Sequence, residues 1–114
     1  MQAATRLIMA LRGPALVCLM AAAWPAHTAP FFPKGDAAKG QLLHQKNCAS
    51  CHNSMMPDGK GEELYSEDFR KVKSAAVLRT MVEACANRSS AGWFEEEIEH
   101  TSRFLNDRFY QFKR

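Results

Sequence analysis

An all-α domain of three helices is the fold class this sequence predicts, and three observations predict it. Apolar residues recur at helical spacing, with Leu78, Met81, Val82 and Cys85 at i, i+3, i+4 and i+7. Residues that start helices stand where helical stretches open: Asp36 before Ala37, Ser74 before Ala75, and Glu95, Glu96 and Glu97 where negative charge suits a first turn. Nowhere do apolar and polar residues alternate over the length of a strand, and no internal repeat occurs. The 114 residues leave room for one domain, expected over residues 30–114. A chain that short buries only a small core.

Residues 1–29 have the layout of a secretory signal peptide. Arg6 and Arg12 form a positive start, residues 15–23 a short apolar stretch, and small residues follow. Unbroken apolar sequence runs only over residues 15–24, whereas a membrane span needs about 20 residues, so the mature chain is expected to have no transmembrane span. Cleavage is placed after Ala29, with Ala23 and Ala26 as alternatives, because His27 and Pro30 suit the first position poorly. Cys18 invites a lipoprotein reading, but Val17 precedes it where such sites want Gly, Ala or Ser. The expected address is the periplasm.

Pro30 and Pro33 fix φ and keep the residues before them out of helix, so the domain opens on an extended lead-in. The first helix is predicted over residues 37–47 with Asp36 as its N-cap. Gly40 in its interior costs about 1 kcal/mol relative to Ala, which points to close approach by another element. Residues 53–73 read as a loop, with Pro57, Gly59 and Gly61 in its turn-rich part. A second helix is predicted over residues 75–86, and the polar stretch 87–92 ends it. The last helix opens near Trp93 and is expected to run to Lys113 and Arg114, with Ile98, Leu105, Phe109 and Phe112 on one face.

Charge excludes one class of partner. The formal +3 includes Arg6 and Arg12 of the leader, which leaves the domain at +1. No basic patch interleaved with aromatic residues is present, so no nucleic acid is expected.

Between the first helix and the loop stands Cys48-Ala49-Ser50-Cys51-His52, a C-x-x-C-H pentapeptide that reads as a covalent attachment site for c-type haem. Each thiol can add to one porphyrin vinyl group, and the adjacent imidazole can bind the iron. Other readings compete. A thioredoxin-like dithiol needs a βαβ context, and no strand pattern lies nearby. A zinc site needs further ligands at ordinary spacing, and Cys85 has no Cys or His three or four positions from it. A chance match in a loop is the remaining alternative. In an oxidising compartment two free neighbouring thiols tend to oxidise, and haem attachment removes both.

With these residues in hand, the chain resembles a class I monohaem cytochrome c over about residues 36–112. The resemblance rests on Gly40-Gln41-Leu42-Leu43 in an early helix, the pentapeptide, and Phe104-Leu105-Asn106 in a closing helix. It implies a small three-helix class I cytochrome c-like domain wrapped around one covalently attached haem c. It also implies that the first and last helices cross closely, with Gly40 and Leu43 against Leu105 and Phe109. The implied function is carriage of single electrons between redox partner proteins outside the cytoplasm, and no enzyme activity is expected.

The sequence departs from that family where the sixth iron ligand is usually found, for residues 87–92 contain no methionine. Met55 and Met56 follow His52 too closely, since four residues span at most about 14 Å and the path around a porphyrin edge is longer. They read as a loop covering the haem. Met81 can reach, but it also lies on the apolar stripe of its helix, so ligand and core residue stay open for it. Asn87, His100, His44 or an open position complete the candidates. His100 is about 200° around the helix from Ile98 and is expected to be solvated, with His44 on the outside of its own helix. Cys85 reads as a small buried hydrophobe, with an intermolecular disulfide or thiolate ligation as alternatives. The competing function is a c-type haem protein with a weak or absent sixth ligand that binds small gases or peroxide. A haem-bearing subunit docked permanently in a larger complex is a third.

Overall fold

The computed structural model describes Gly13 and residues 29–114. The leader read in residues 1–29, including Cys18 and the cleavage positions Ala23 and Ala26, lies outside the described residues apart from Gly13 and Ala29. Four α-helices make up the domain: α1 (Ala37–Asn47), α2 (Ala49–Met55), α3 (Ala75–Arg88) and α4 (Glu95–Leu105). A 3₁₀ helix, Gly61–Tyr65, follows α2, and a π-helical turn, Asn106–Tyr110, extends α4. No strand occurs among the described residues, so the all-α expectation holds, with four α-helices where three were expected because the pentapeptide itself begins a short helix.

The caps behave as the sequence predicts. The Asp36 carboxylate accepts from the amides of Ala38 at 2.9 Å and Lys39 at 3.1 Å, and the Ser74 hydroxyl accepts from Val77 N at 3.2 Å. Hydrogen bonds to its first-turn amides hold the Asp36 carboxyl below its ordinary range. At α4 the Glu97 carboxylate reaches back to the Phe94 amide at 2.9 Å.

Gly40 is the point at which α1 crosses α4. A Cβ there would stand 2.0 Å from the His100 carbonyl oxygen and 2.8 Å from Phe104 Cβ, so only glycine lets the two backbones meet. The crossing is the expected one, but Gly40 faces His100 and Phe104 of α4, rather than Leu105 and Phe109. The Asp36 amide donates to His100 Nδ1 at 2.8 Å, which ties the start of α1 to α4.

His100 corrects the expectation of a solvated side chain. It is buried, with Nε2 3.3 Å from a Glu96 carboxylate oxygen. The reason is that α4 is covered on two sides. Ile98, Thr101 and Leu105 face the core, while His100 and Phe104 face α1. A helix buried on two faces violates the single-stripe assumption from which His100 was placed outside.

Two further boundaries differ from expectation. The presumed loop 53–73 contains the end of α2 and the 3₁₀ helix, which docks through Gly61: its amide donates to Asn53 Oδ1 at 3.0 Å. The last helix does not reach Lys113. The buried Asn106 side chain both accepts from Phe112 N at 2.9 Å and donates to Phe112 O at 3.2 Å, and Gln111 turns left-handed with φ 54°. These bonds replace further helix and fold the last residues back, where Phe112 stacks on Tyr110 at 5.5 Å.

The core comprises Phe32, Tyr65, Val72, Ala75, Leu78, Val82, Ile98, Leu105 and Tyr110, with Trp93, Phe104 and Phe109 packed against it. Arg70 secures the long connection over it. Its guanidinium donates to Tyr110 O at 3.1 Å and lies over the Tyr110 and Phe112 rings. No helix among the described residues is long and apolar enough to cross a membrane.

Candidate functional site

The pentapeptide spans the junction of α1 and α2. Cys48 ends the first helix, its amide donating to His44 O at 2.9 Å, and precedes the second. Cys48 is the N-cap of α2, and Cys48, Cys51 and His52 line one hollow at its start. Cys48 and His52 are half-buried and Cys51 is exposed, and both thiols are free.

Cys48 and His52 open onto a cleft of about 260 Å³. One wall is Cys48, His52 and Met55 of α2; another is Leu78, Met81, Val82 and Cys85 of α3. Thr101 and Leu105 of α4 and Tyr65, Phe69, Val72 and Tyr110 close it, and Lys71 and Arg88 also line it. A second hollow of about 140 Å³ adjoins it, sharing Cys48, His52, Met55, Cys85 and Arg88 and adding Cys51. The lining is mostly apolar. Thr101 is fully buried, and its hydroxyl has no hydrogen-bond partner among the described residues. A larger groove of about 510 Å³ lies between residues 29–31 and the C-terminal segment, but no cysteine or histidine lines it.

Among the sulfur and nitrogen candidates named from the sequence, the cleft gathers Cys48, His52, Met55, Met81 and Cys85. His44, Asn87, His100 and Met56 do not line it. Met81 is 40% exposed and so is not a core methionine; its neighbours Leu78 and Val82 are buried instead. Cys85 is half-buried on the cleft wall, rather than a fully buried hydrophobe.

Sequence reasoning placed His44 on the outside of its helix, and the structure corrects this. His44 is buried, and its Nε2 lies 2.8 Å from the Tyr65 hydroxyl, which also hydrogen-bonds His52 Nδ1. One signal was present in the sequence. His44 follows Gly40 by four residues and therefore shares the face that glycine already assigned to a close neighbour. Tyr65 was missed altogether, because no motif or periodicity marks it. It reaches the site because the 3₁₀ helix rests on α2: a Cβ at Gly61 would stand 2.5 Å from both Asn53 N and the His52 carbonyl carbon.

Burial sets the protonation states. It pushes the Cys48 thiol up to about 11, with the Cys85 and Cys51 thiols adding to the effect, so the thiol stays protonated near neutral pH. A redox dithiol is normally activated by the opposite shift. Burial also lowers His52, which keeps its imidazole in the neutral, metal-binding form, and raises the Tyr65 phenol, which keeps its proton. Among the described residues no group of three or more His, Cys, Asp or Glu is placed to hold a bare metal ion.

His44 is pushed down to about 4, first by burial and then by the neighbouring His52. Its unfolded value is about 6.5, so between these limits the unfolded chain binds more protons than the folded one. The stabilisation is complete above about pH 6.5 and is lost as pH falls through about 4. Denaturant unfolding followed from pH 7 to pH 4 is expected to show about 2–3 kcal/mol of lost stability from this group. His44→Phe should remove that part of the slope, and a variant with the wild-type slope would place the titration elsewhere.

No family model, curated protein or solved structure matches the chain.

Proposed function

We propose that this chain is a monohaem c-type cytochrome that carries single electrons between redox partner proteins in the periplasm. Haem c would be bonded through Cys48 and Cys51, with His52 as axial iron ligand. The observation that carries the reading is that C-x-x-C-H opens onto an apolar cleft lined also by the sulfur side chains of Met81 and Cys85.

The residues present fit the group. Two free thiols line one hollow at the start of α2, and the neutral His52 imidazole has Nδ1 engaged by Tyr65, which leaves Nε2 for iron. Apolar side chains from α3, α4 and the long connection would exclude water from the macrocycle, and Lys71 and Arg88, which also line the cleft, would be the cations available to its propionates. When bound, haem supplies a one-electron ferric/ferrous couple whose potential depends on its axial ligands. The walls of the cleft come from several helices packed on one core, which suits a carrier whose site changes little between oxidation states.

Intact mass and colour of the protein exported from cells that mature c-type haems test the reading. A red protein with the mass of processed chain plus one haem is expected. A colourless one with the bare-chain mass would overturn it.

Met81 is the candidate sixth ligand, as the methionine of α3 that lines the cleft with His52. The oxidised protein is then expected to show the weak long-wavelength band of methionine–iron bonding, and Met81→Ala to abolish it. Rapid binding of carbon monoxide by the reduced wild type, with no such band, would instead establish the gas-binding alternative.

A further inference from the structure

His52, Tyr65 and His44 form a hydrogen-bonded chain that the proposed electron transfer does not by itself require. Tyr65 Oη contacts His52 Nδ1 on one side and His44 Nε2 at 2.8 Å on the other. Its ring is held by His44 at 5.8 Å, His52 at 5.2 Å, Phe109 at 5.0 Å and Tyr110 at 5.7 Å between centroids. Gly61 presses the 3₁₀ helix onto the backbone of His52 and Asn53. Tyr65 is therefore positioned by α1, α2 and the C-terminal turn together.

We propose that Tyr65 is the positioning residue of the axial imidazole and that His44, acting through the Tyr65 hydroxyl, tunes the reduction potential; this rests on the haem reading above. A hydroxyl has one proton to give and lone pairs to accept. A neutral imidazole bound to iron through Nε2 carries its proton on Nδ1 and must donate it. Tyr65 Oη therefore accepts from His52, and its own proton is left for His44 Nε2. Iron binding fixes the direction of both bonds and the tautomer of His44. His44 can take this part because its ring is buried with Nε2 2.8 Å from the Tyr65 hydroxyl.

A tyrosine oxygen whose proton is drawn toward His44 is a better acceptor for the Nδ1 proton, and the two bonds strengthen each other. The axial imidazole becomes more basic and favours ferric over ferrous iron, which lowers the potential. Tyr65→Phe removes both bonds while keeping the ring, and His44→Phe removes only the outer one.

The experiment is a redox titration of the haem-bearing wild type, the two single variants and the double variant, followed by absorbance. Tyr65→Phe is expected to shift the ferric/ferrous balance about tenfold toward ferrous, a rise of about 59 mV for one electron. His44→Phe should give a smaller rise, and it should add nothing in the Tyr65→Phe background. An unchanged potential in a red Tyr65→Phe protein overturns the proposal, and so does a His44→Phe effect of equal size with and without Tyr65. If Tyr65→Phe does not fold, His44→Phe decides: an unchanged potential there refutes the relay. A colourless wild type would instead sink the haem reading, and this inference with it.

Discussion

Gly40→Ala is expected to destabilise the protein by about 3 kcal/mol or more, although alanine is the better helix former by about 1 kcal/mol. The added Cβ would stand 2.0 Å from the His100 carbonyl oxygen, 2.5 Å from its carbon and 2.8 Å from Phe104 Cβ. None of these atoms is the far end of a flexible side chain, so α1 and α4 must separate to admit a methyl group. Separation would also break the Asp36 to His100 bond and uncover His44 against Phe104. Domains of this kind have about 5–15 kcal/mol in all, and a loss of 3 kcal/mol corresponds to a melting point lowered by about 12 °C or more. Urea and thermal unfolding of wild type and variant measure it. Because helix propensity and the crossing predict opposite signs, an unchanged or raised midpoint would show that the helices do not cross at residue 40.

The second large effect concerns attachment. In Cys48→Ala combined with Cys51→Ala, all haem is expected to leave the protein on extraction with acid acetone, whereas the wild type should retain it. The thioether links are the only covalent hold proposed, and the proposed bond from His52 to iron is a coordinate one that acid would break as the imidazole takes up a proton. Each single variant keeps one link and should stay coloured. Haem that remains with the doubly substituted chain would mean that Cys85, the third free thiol on the cleft lining, or some other residue makes the bond.

Both effects trace to features that the sequence displays openly, and the remainder of the site does not. Gly40 is visible as a helix residue that costs stability unless something touches it, and the structure supplies His100 and Phe104. The stripe of α3 is legible as a face but not as a core face: all four residues line the cleft, and only Leu78 and Val82 are buried, while Met81 and Cys85 stay partly exposed. Periodicity reports which residues share a side of a helix and says nothing of whether that side meets protein or a space between elements. His44 and His100 were misplaced for a related reason. Each lies on a face opposed by a segment remote in sequence, Tyr65 in one case and the Asp36 amide in the other. A polar ring on such a face is solvated or bonded according to that remote partner.

The sequence by itself determined what acts within a turn or two of chain: the Asp36 and Ser74 caps, the helical character of α1, α3 and α4, and three chemically special residues set close together in C-x-x-C-H. These depend on neighbours along the backbone, whose distances covalent geometry prescribes. Only the tertiary structure decided that Tyr65 stands between His44 and His52, that Met81 and Cys85 share a cleft with His52, and that Asn106 ends α4 by binding Phe112. Each of these joins groups that come together only when helices pack, and packing is set by the summed burial of the whole core rather than by any local pattern.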